Sequence, residues 1–209
     1  RFTNAAIRTD HKLVTQQFVD STGPHASFYT SGNGNIVTSN PVFSPSALRT
    51  AIEQLLMLRD SDGEPIDHGD TLYLVVGSSL IAEANDVVET KEFRRASGSD
   101  VYIQAGNGLY LKVIPVHNPY INIVATSNGN TSWFLMGSPS NGRPALEAGH
   151  LTGLEGPALF MKQPNRVRVS GGTVDGDFAT GAYHYGVVHC VGAARLDPKA
   201  TVASNGSGS

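Results

Sequence analysis

The clearest pattern of apolar and polar positions lies between Ser44 and Asp60. Apolar residues recur there at the spacing of one helix face: Leu48, Ala51, Ile52, Leu55 and Leu56. Ser44 is suited to cap this helix, and Pro45 fits the first turn because that position needs no N–H donor. The pattern therefore predicts a helix that begins after Ser44 and stops at the turn-forming residues 60–63.

A strand and a second helix are predicted directly after the first helix. Residues 71–76 are rich in β-branched and aromatic side chains and have turn residues on both sides, which is typical of a buried strand. Ser78 or Ser79 is then a candidate cap for a helix with one apolar face: Leu80, Ile81, Ala84, Val87 and Val88. We interpret this helix, strand and helix as scaffold, because no charged or nucleophilic groups in it point to a shared place.

The regions on either side of this unit are less regular. A broken helical pattern predicts a helix from about Asp10 to Val19, which the residues Ser21-Thr22-Gly23-Pro24 stop. Glycine and asparagine in residues 28–41 predict a loop, which we expect to cross between two lobes. Residues 91–108 are predicted to be mostly irregular, because they are polar around a short apolar run.

Strands dominate the prediction for the remainder of the chain. Residues 109–116 and 120–126 are predicted strands, and Asn128-Gly129 favours a tight hairpin that returns through residues 131–136. After a turn at residues 141–144, short strands are predicted as follows: 145–151 and 158–163. The sequence thus predicts an α+β protein.

The last forty residues combine glycine with an alternating pattern. A glycine-rich connection from Gly171 to Asp177 precedes residues 183–194, where alternation predicts one long strand. One side of this strand would carry Tyr183, Tyr185, Val187, His189 and Val191. Gly192 is expected to interrupt it, residues 196–203 to continue the pairing, and the SNGSGS end to form a flexible tail.

Composition narrows the classes of function. Charged residues make up 16% of the chain, below the roughly 25% of an ordinary soluble domain, which favours a protein that covers its surface with neighbours. The net charge of -3 disfavours a protein whose main task is to grip phosphate backbones. A single cysteine excludes an internal disulfide, and no apolar run is long enough for a membrane helix. The chain begins with Arg1 and not methionine, so we expect that preceding residues are missing.

The histidines do not form a recognisable site. His184 and His189 lie five residues apart on one predicted strand, so their side chains would point to opposite faces and could not share a metal. The zinc spacings C-x-x-C and H-E-x-x-H are absent. The other histidines are scattered among loops and element ends, and we interpret them as surface or partly buried polar residues: His11, His25, His68, His117 and His150.

Other motifs also favour structural interpretations. Asp60-Ser61-Asp62-Gly63 resembles the start of a calcium loop, but its glycine is fourth where an EF-hand needs it sixth. Asp175-Gly176-Asp177 is better explained as a turn than as a cation site. The nucleophile motif G-x-S-x-G and the glycine-rich phosphate-binding loops are absent. Cys190 lies inside a predicted strand. Two small basic clusters are interpreted as solvated surface: Arg94-Arg95 and Arg166-Val167-Arg168. We therefore predict no catalytic, cofactor-binding or metal-binding residue, no cofactor and no enzymatic activity.

The order of several segments carries a resemblance to a known family. ALRTAIEQLLMLRDSDGEPI and TLYLVVGSSL resemble a helix and a strand of tailed-bacteriophage major capsid proteins, most closely the Mu-like head subunits. NPYI, NGNTSWFL, GRPALEAGHL and LEGPALFMK resemble the middle of these proteins. YHYGVVHCVGAARLDPKATVASNG is similar to their C-terminal strands, so the resemblance covers about residues 2–206.

This resemblance implies the Hong Kong 97-type capsid fold, which has an axial and a peripheral domain. Residues 44–177 would be axial, and residues 1–43 and 178–209 would be peripheral, with crossings near Gly32 and Gly171. The family's N-terminal arm and extended loop precede the peripheral helix, and we expect both to be absent from this chain. Family members assemble into pentamers and hexamers of an icosahedral shell that encloses double-stranded DNA.

The resemblance also implies partners and a location. The partners would be copies of the same chain, with scaffold, portal or decoration proteins as further head partners. The enclosed DNA would be contacted without sequence specificity, and no membrane contact is expected. The protein would lie in the virion capsid after assembly in the bacterial host cytoplasm. Two alternatives stay open: a β-rich tail or receptor-binding module, suggested by the predicted Asn-Gly hairpin with Tyr120 and Trp133, and a hydrolase whose site forms only in three dimensions.

Overall fold

Helices and strands are mixed throughout the chain, which confirms the α+β expectation. The computed structural model describes residues 2–89, 92–97, 100–105, 111–166, 169–171 and 176–208. The α-helices are α1 Phe2–Phe18, α2 Pro45–Met57, α3 Ile81–Glu89 and α4 Ile121–Val124, and short 3-10 turns cover Ser31–Asn33, Pro139–Asn141 and Pro198–Ala200. The strands are β1 Val19–Asp20, β2 Gly23–Pro24, β3 Thr71–Val76, β4 Glu92–Ser97, β5 Asp100–Ala105, β6 Lys112–His117, β7 Trp133–Met136, β8 Leu146–His150, β9 Ala158–Met161, β10 Tyr185–Val188, β11 Val191–Arg195 and β12 Thr201–Ser204.

Helix α2 forms where the apolar spacing predicts it. Ser44 accepts a hydrogen bond from the Ala47 N–H at 3.1 Å, and Pro45 occupies the first turn, so the predicted cap is confirmed. The buried face consists of Ala47, Leu48, Ala51, Ile52 and Leu55. Leu56 was expected on this face and is instead 43% exposed, because a helix rotates about 100° per residue and carries it past the buried stripe.

Helix α1 is longer than predicted, since it begins at Phe2 and not near Asp10. Its last turns bury Phe18 and Thr15. The Thr15 hydroxyl donates to the His11 carbonyl at 2.7 Å and accepts from Asn118 Nδ2 at 2.9 Å. Thr15 can therefore occupy a buried position on this helix, because its hydroxyl is hydrogen bonded. A polar residue at a buried position interrupts the apolar pattern on which the sequence prediction of this helix depended.

A four-stranded sheet with the order β12-β7-β3-β6 organises the core. Strand β3 lies between β6, to which it is parallel, and β7, to which it is antiparallel. Because side chains alternate along a strand, Leu72, Leu74 and Val76 join one hydrophobic cluster with α2 and α3, while Val75 joins a second cluster with Phe18. The edge position of β6 in this sheet accommodates Pro115, which cannot donate a ladder hydrogen bond.

The predicted hairpin through Asn128-Gly129 is wrong. The residues expected as its first strand form α4, because the Asn118 side chain accepts from the Tyr120 N–H and the Val124 N–H donates to the Tyr120 carbonyl. Asn122 Nδ2 then donates a hydrogen bond to the Gly129 carbonyl oxygen at 3.0 Å. The turn therefore folds back onto α4, and β7 pairs with β3 and β12 at long range.

Residues 91–108 are not mostly irregular, as we had expected. Strands β4 and β5 pair antiparallel, with Arg94 opposite Ile103 and Ser97 opposite Asp100. Backbone hydrogen bonds between adjacent strands require no apolar pattern, so a polar segment can form such a ribbon. Leu109 and Tyr110, expected at the start of the next strand, lie outside the described residues.

The single long strand predicted for residues 183–194 is wrong. The chain forms β10, leaves the strand at His189 and Cys190, and continues as β11. Strand β10 pairs with β9 and β11 pairs with β8, so the break is the point where the chain changes partners. Gly192 lies inside β11 and does not interrupt it. The alternation in the sequence is continuous, and only the strand pairing decides where the break falls.

The C-terminal residues dock, although a flexible tail was expected. The Gly208 N–H donates to the Asn40 carbonyl at 2.8 Å, and the Asn205 N–H donates to Asn40 Oδ1 at 3.2 Å. Gly206 has a φ of +65°, and a Cβ at this position would lie 2.2 Å from the Thr131 carbonyl oxygen. Glycine is thus needed there for close packing as well as for backbone conformation.

The chain divides into two compact units. Unit 1 comprises Arg1–Asp10 and Ala148–Gly192, and unit 2 comprises His11–Glu147 and Ala193–Ser209. Both hydrophobic clusters are built from residues of unit 2. Within the described part of unit 1, Ala6 is the one apolar residue that is buried. The described part of unit 1 therefore has almost no hydrophobic core.

Candidate functional site

Unit 1 carries most of the large apolar side chains that are exposed on the described surface. They are Ile7, Leu151, Leu159, Phe160, Met161, Val169, Phe178, Tyr183, Tyr185 and Val188. Scattered exposed apolar residues are normal on a protein, but a contiguous group marks an interaction surface. The pairing of β9 with β10 makes part of this group contiguous. We call the paired strands β9 and β10 the apolar ribbon.

The apolar ribbon is exposed on both of its faces. Leu159 and Met161 share one face because they are two residues apart, and Phe160 lies on the other. These side chains are 62%, 52% and 56% exposed in the order Leu159, Met161, Phe160. Met161 lies opposite Tyr185 in the antiparallel register, so an aromatic ring extends the first face. A two-stranded ribbon with two open apolar faces is marginal by itself and gains stability when another surface covers it.

A turn with an ion pair between Lys162 and Asp177 lies next to the apolar ribbon. Lys162, directly after β9, donates to Asp177 Oδ2 at 2.8 Å, and its N–H donates to the His184 carbonyl at 3.0 Å. Asp177 Oδ1 also accepts from the Ala179 N–H at 3.0 Å. The Lys162 ammonium and this N–H lower the pKa of Asp177 to about 2. Asp177 is therefore a charged turn residue, as expected, and Asp175 lies outside the described residues.

Unit 2 presents a second apolar surface on its four-stranded sheet. A groove is lined by Tyr73, Val75, Val116, Met136, Gly137, Pro139, Pro144, Ala145 and Leu146. Among the described residues its lining contains no charged side chain, and Tyr73 supplies a hydroxyl group. The groove therefore offers mainly apolar contact.

Four of the histidines occupy unrelated positions in unit 2. His11 stacks on Tyr120 with ring centroids 6.3 Å apart, and His117 Nε2 is hydrogen bonded to Ser78 Oγ at 2.9 Å. His25 lies beside Arg195, and burial and this guanidinium lower the pKa of its imidazole. His68 is buried, which lowers the pKa of its imidazole. His11, His25 and His117 agree with the expectation of surface or partly buried polar residues, whereas His68 is buried and does not.

The structure does bring three distant residues of unit 1 together. Asp10, His150 and His189 each offer a ligand atom, and these atoms all lie within 4.8 Å of one another. His189 Nε2 is 2.8 Å from Asp10 Oδ1, and the rings of His150 and His189 lie 5.6 Å apart between centroids. The sequence analysis missed this group, because its members are separated by more than 30 residues and no local spacing links them.

The remaining sequence candidates stay structural. Asp60 Oδ1 accepts from the N–H groups of Glu64 and Asp62, which lower the pKa of Asp60 and form a turn, as expected. Cys190 is half-buried at the break between β10 and β11 and not inside a strand. The side chains of Arg94 and Arg95, and residues 167–168, lie outside the described part of the chain. Within the described residues, none of the helices has both the length and the apolar character to span a bilayer.

Comparisons with known proteins identify the relatives of this chain. A family model described as phage capsid protein matches residues 1–204. A comparison with curated proteins gives no match. Among solved structures, the chain is similar to a subunit in the holo-SrpI encapsulin complex from Synechococcus elongatus, with 14% identity and a TM-score of 0.45. That alignment covers 95% of this chain and 60% of the encapsulin chain, so this chain spans about three fifths of that protein.

Proposed function

The chain belongs to the phage capsid protein family, and from this premise we propose that it is a major head subunit that assembles with copies of itself through the apolar ribbon. The observation that carries the proposal is the apolar ribbon itself, with Leu159, Phe160 and Met161 each more than half exposed. Family membership makes the protein a structural component of a virion capsid. It also supports a second copy of the chain as the occupant of this surface.

The energetics favour assembly through many modest contacts. Covering one half-exposed large apolar side chain contributes roughly 1 kcal/mol, because about half of its surface is still removed from water. Leu159, Met161 and Tyr185 on the first face therefore contribute a few kcal/mol to a contact, and Phe160 and Val188 contribute to a contact on the other face. A closed shell repeats the same contact in every subunit, so a weak interface becomes a stable particle.

The finer architecture is also part of the proposal. The subunit has the Hong Kong 97-type fold, with an axial domain of residues 44–177 and a peripheral domain of residues 1–43 and 178–209. Pentamers and hexamers of it form an icosahedral shell around double-stranded DNA, assembled in the host cytoplasm with other head proteins. The low net charge of -3 supports a shell whose subunits make no sequence-specific contact with DNA.

Assembly can be tested with a matched pair of methionine variants. We expect Met161→Asp to abolish or strongly reduce particles and capsomers, because a charge on the apolar ribbon would be buried without a partner. Met57→Asp is the control, since Met57 is 76% exposed and belongs to unit 2. Negative-stain electron microscopy and native mass spectrometry measure the assemblies. Normal assembly of the Met161 variant, with both variants folded by circular dichroism, would refute the role of the apolar ribbon.

The tail-module alternative loses its main support. It depended on the Asn-Gly hairpin, and Ile121–Val124 within the predicted strand 120–126 forms α4 instead. The apolar groove of unit 2 gives the hydrolase alternative no support, because its described lining has no charged side chain, but Asp10, His150 and His189 converge in unit 1. We therefore do not propose a tail module, and a hydrolase remains the second candidate.

A further inference from the structure

The group formed by Asp10, His150 and His189 has a chemistry that the capsid role does not use. Two imidazoles and one carboxylate come from the middle of α1, the end of β8 and the break between β10 and β11. We propose that these three side chains bind a Zn²⁺ ion. The proposal goes beyond the proposed assembly function and does not depend on it.

The donor set fits zinc better than calcium or magnesium. Calcium and magnesium prefer sites made of oxygen ligands, whereas zinc is held by imidazole nitrogen and carboxylate oxygen. Ligand atoms of a tetrahedral zinc ion, with bonds of about 2.0–2.2 Å, lie about 3.3 Å from one another. The three donor atoms already lie within 4.8 Å of one another, and two of them are 2.8 Å apart. Small side-chain rotations therefore complete three of four coordination positions.

The burial of the group supports binding and not mere surface proximity. The His189 side chain is only 9% exposed, and its Nδ1 atom has no hydrogen-bond partner among the described residues. With Nε2 as the zinc ligand, Nδ1 would carry the ring proton, and a water molecule could accept its hydrogen bond. His150 is exposed, so its ring can turn towards a metal that arrives from solvent. A shallow depression lined by His150, His189 and Cys190 provides access.

A metal at this position would link segments of unit 1 that few buried apolar contacts connect. The three ligands belong to segments that are far apart in the sequence, and among the described residues of unit 1 only Ala6 is both apolar and buried. Binding free energy at a structural metal site adds directly to folding free energy. The zinc ion would thus join α1 to the ends of β8 and β10, with a fourth position left for water.

Zinc titration of matched histidine variants tests the proposal. The full chain is treated with EDTA, dialysed and titrated with ZnCl₂ by isothermal titration calorimetry. We expect one Zn²⁺ per chain, and we expect His150→Ala to weaken binding at least about tenfold. His184→Ala is the control, because His184 is an exposed histidine of unit 1 outside the group, hydrogen bonded to Thr180. Equal affinity of His150→Ala and the unchanged chain, or no binding at all, would overturn the proposal.

A second variant and a second measurement separate metal binding from folding. Asp10→Asn keeps a hydrogen-bonding group beside His189 but removes the anionic ligand, so we expect weaker zinc binding with an unchanged circular dichroism spectrum. At the same concentration, added Zn²⁺ should raise the melting temperature of the unchanged chain and of His184→Ala by more than that of His150→Ala. An equal rise in all three proteins would show binding elsewhere and would refute this site.

Discussion

At the scale of the residue, burial separates side chains that look alike in the sequence. Leu55 and Leu56 are neighbours in α2, and both were expected on its apolar face. Leu55 is fully buried beside β3, whereas Leu56 is 43% exposed. The apolar period locates the face, and the exact fit of the helix against the sheet decides which residues lie at its centre.

This difference gives a stability prediction. We expect Leu55→Ala to lower the free energy of unfolding by about 3 kcal/mol, because it removes buried methyl groups and leaves a cavity. Leu56→Ala should cost less than about 1 kcal/mol, since much of that side chain already contacts water. Urea denaturation followed by circular dichroism measures both values. Equal losses in the two variants would mean that the buried stripe of α2 is placed wrongly.

His68 makes stability depend on pH. Burial lowers the pKa of its imidazole in the folded protein, so the unfolded chain binds a proton more readily. The stabilisation is therefore present above about pH 6.5 and is lost as the pH falls through the folded pKa, with a slope of up to about 1.4 kcal/mol per pH unit. His68→Gln should flatten this slope between about pH 7 and 5. His117→Gln, which removes an exposed imidazole, is the control, and a similar flattening in both would contradict the prediction.

At the scale of the element, close backbone contacts fix segments that composition describes as loose. The SNGSGS end reads as a flexible tail, yet Gly206 is buried and Gly208 forms a bridge with Pro41. Small residues are mobile when solvent surrounds them, but they also permit the closest backbone approach. Gly208 is hydrogen bonded to Asn40, and Gly206 packs against Thr131 so closely that a side chain would not fit.

A pair of glycine variants tests the docked end. Gly206→Ala should be destabilising by about 2 kcal/mol or more, because its Cβ would lie 2.2 Å from the Thr131 carbonyl oxygen and its φ is positive. Gly153→Ala is the control, since Gly153 also has a positive φ but has no atom within 4 Å of the added Cβ. It should cost about 1 kcal/mol or less. Thermal melting compares the two, and equal costs would show that the end does not pack as described.

At the scale of the whole molecule, apolar residues are distributed unequally between the two units. Unit 2 contains both hydrophobic clusters, and unit 1 exposes the apolar ribbon. Exposed apolar surface is stabilised when a partner covers it, and under the proposed function that partner is another copy of the chain. The comparison of Met161→Asp with Met57→Asp tests this conclusion at the same scale.

The sequence by itself determined the elements whose information is local. Helix α2 with its Ser44 cap, strand β3 and the apolar face of α3 could all be predicted, because each depends on spacing within a few turns or residues. The class of protein was also accessible, since the order of segments along the chain resembles a family of phage capsid proteins.

Only the tertiary structure decided the features that depend on distant partners. The sequence could not show that β7 would pair with β3 and β12 and not in a hairpin, that β10 would end at Val188, or that Asp10 would meet His150 and His189. The physical reason is the same in each case. A strand pairing or a ligand group is stabilised by residues far away along the chain, and their relative positions exist only after the chain has folded.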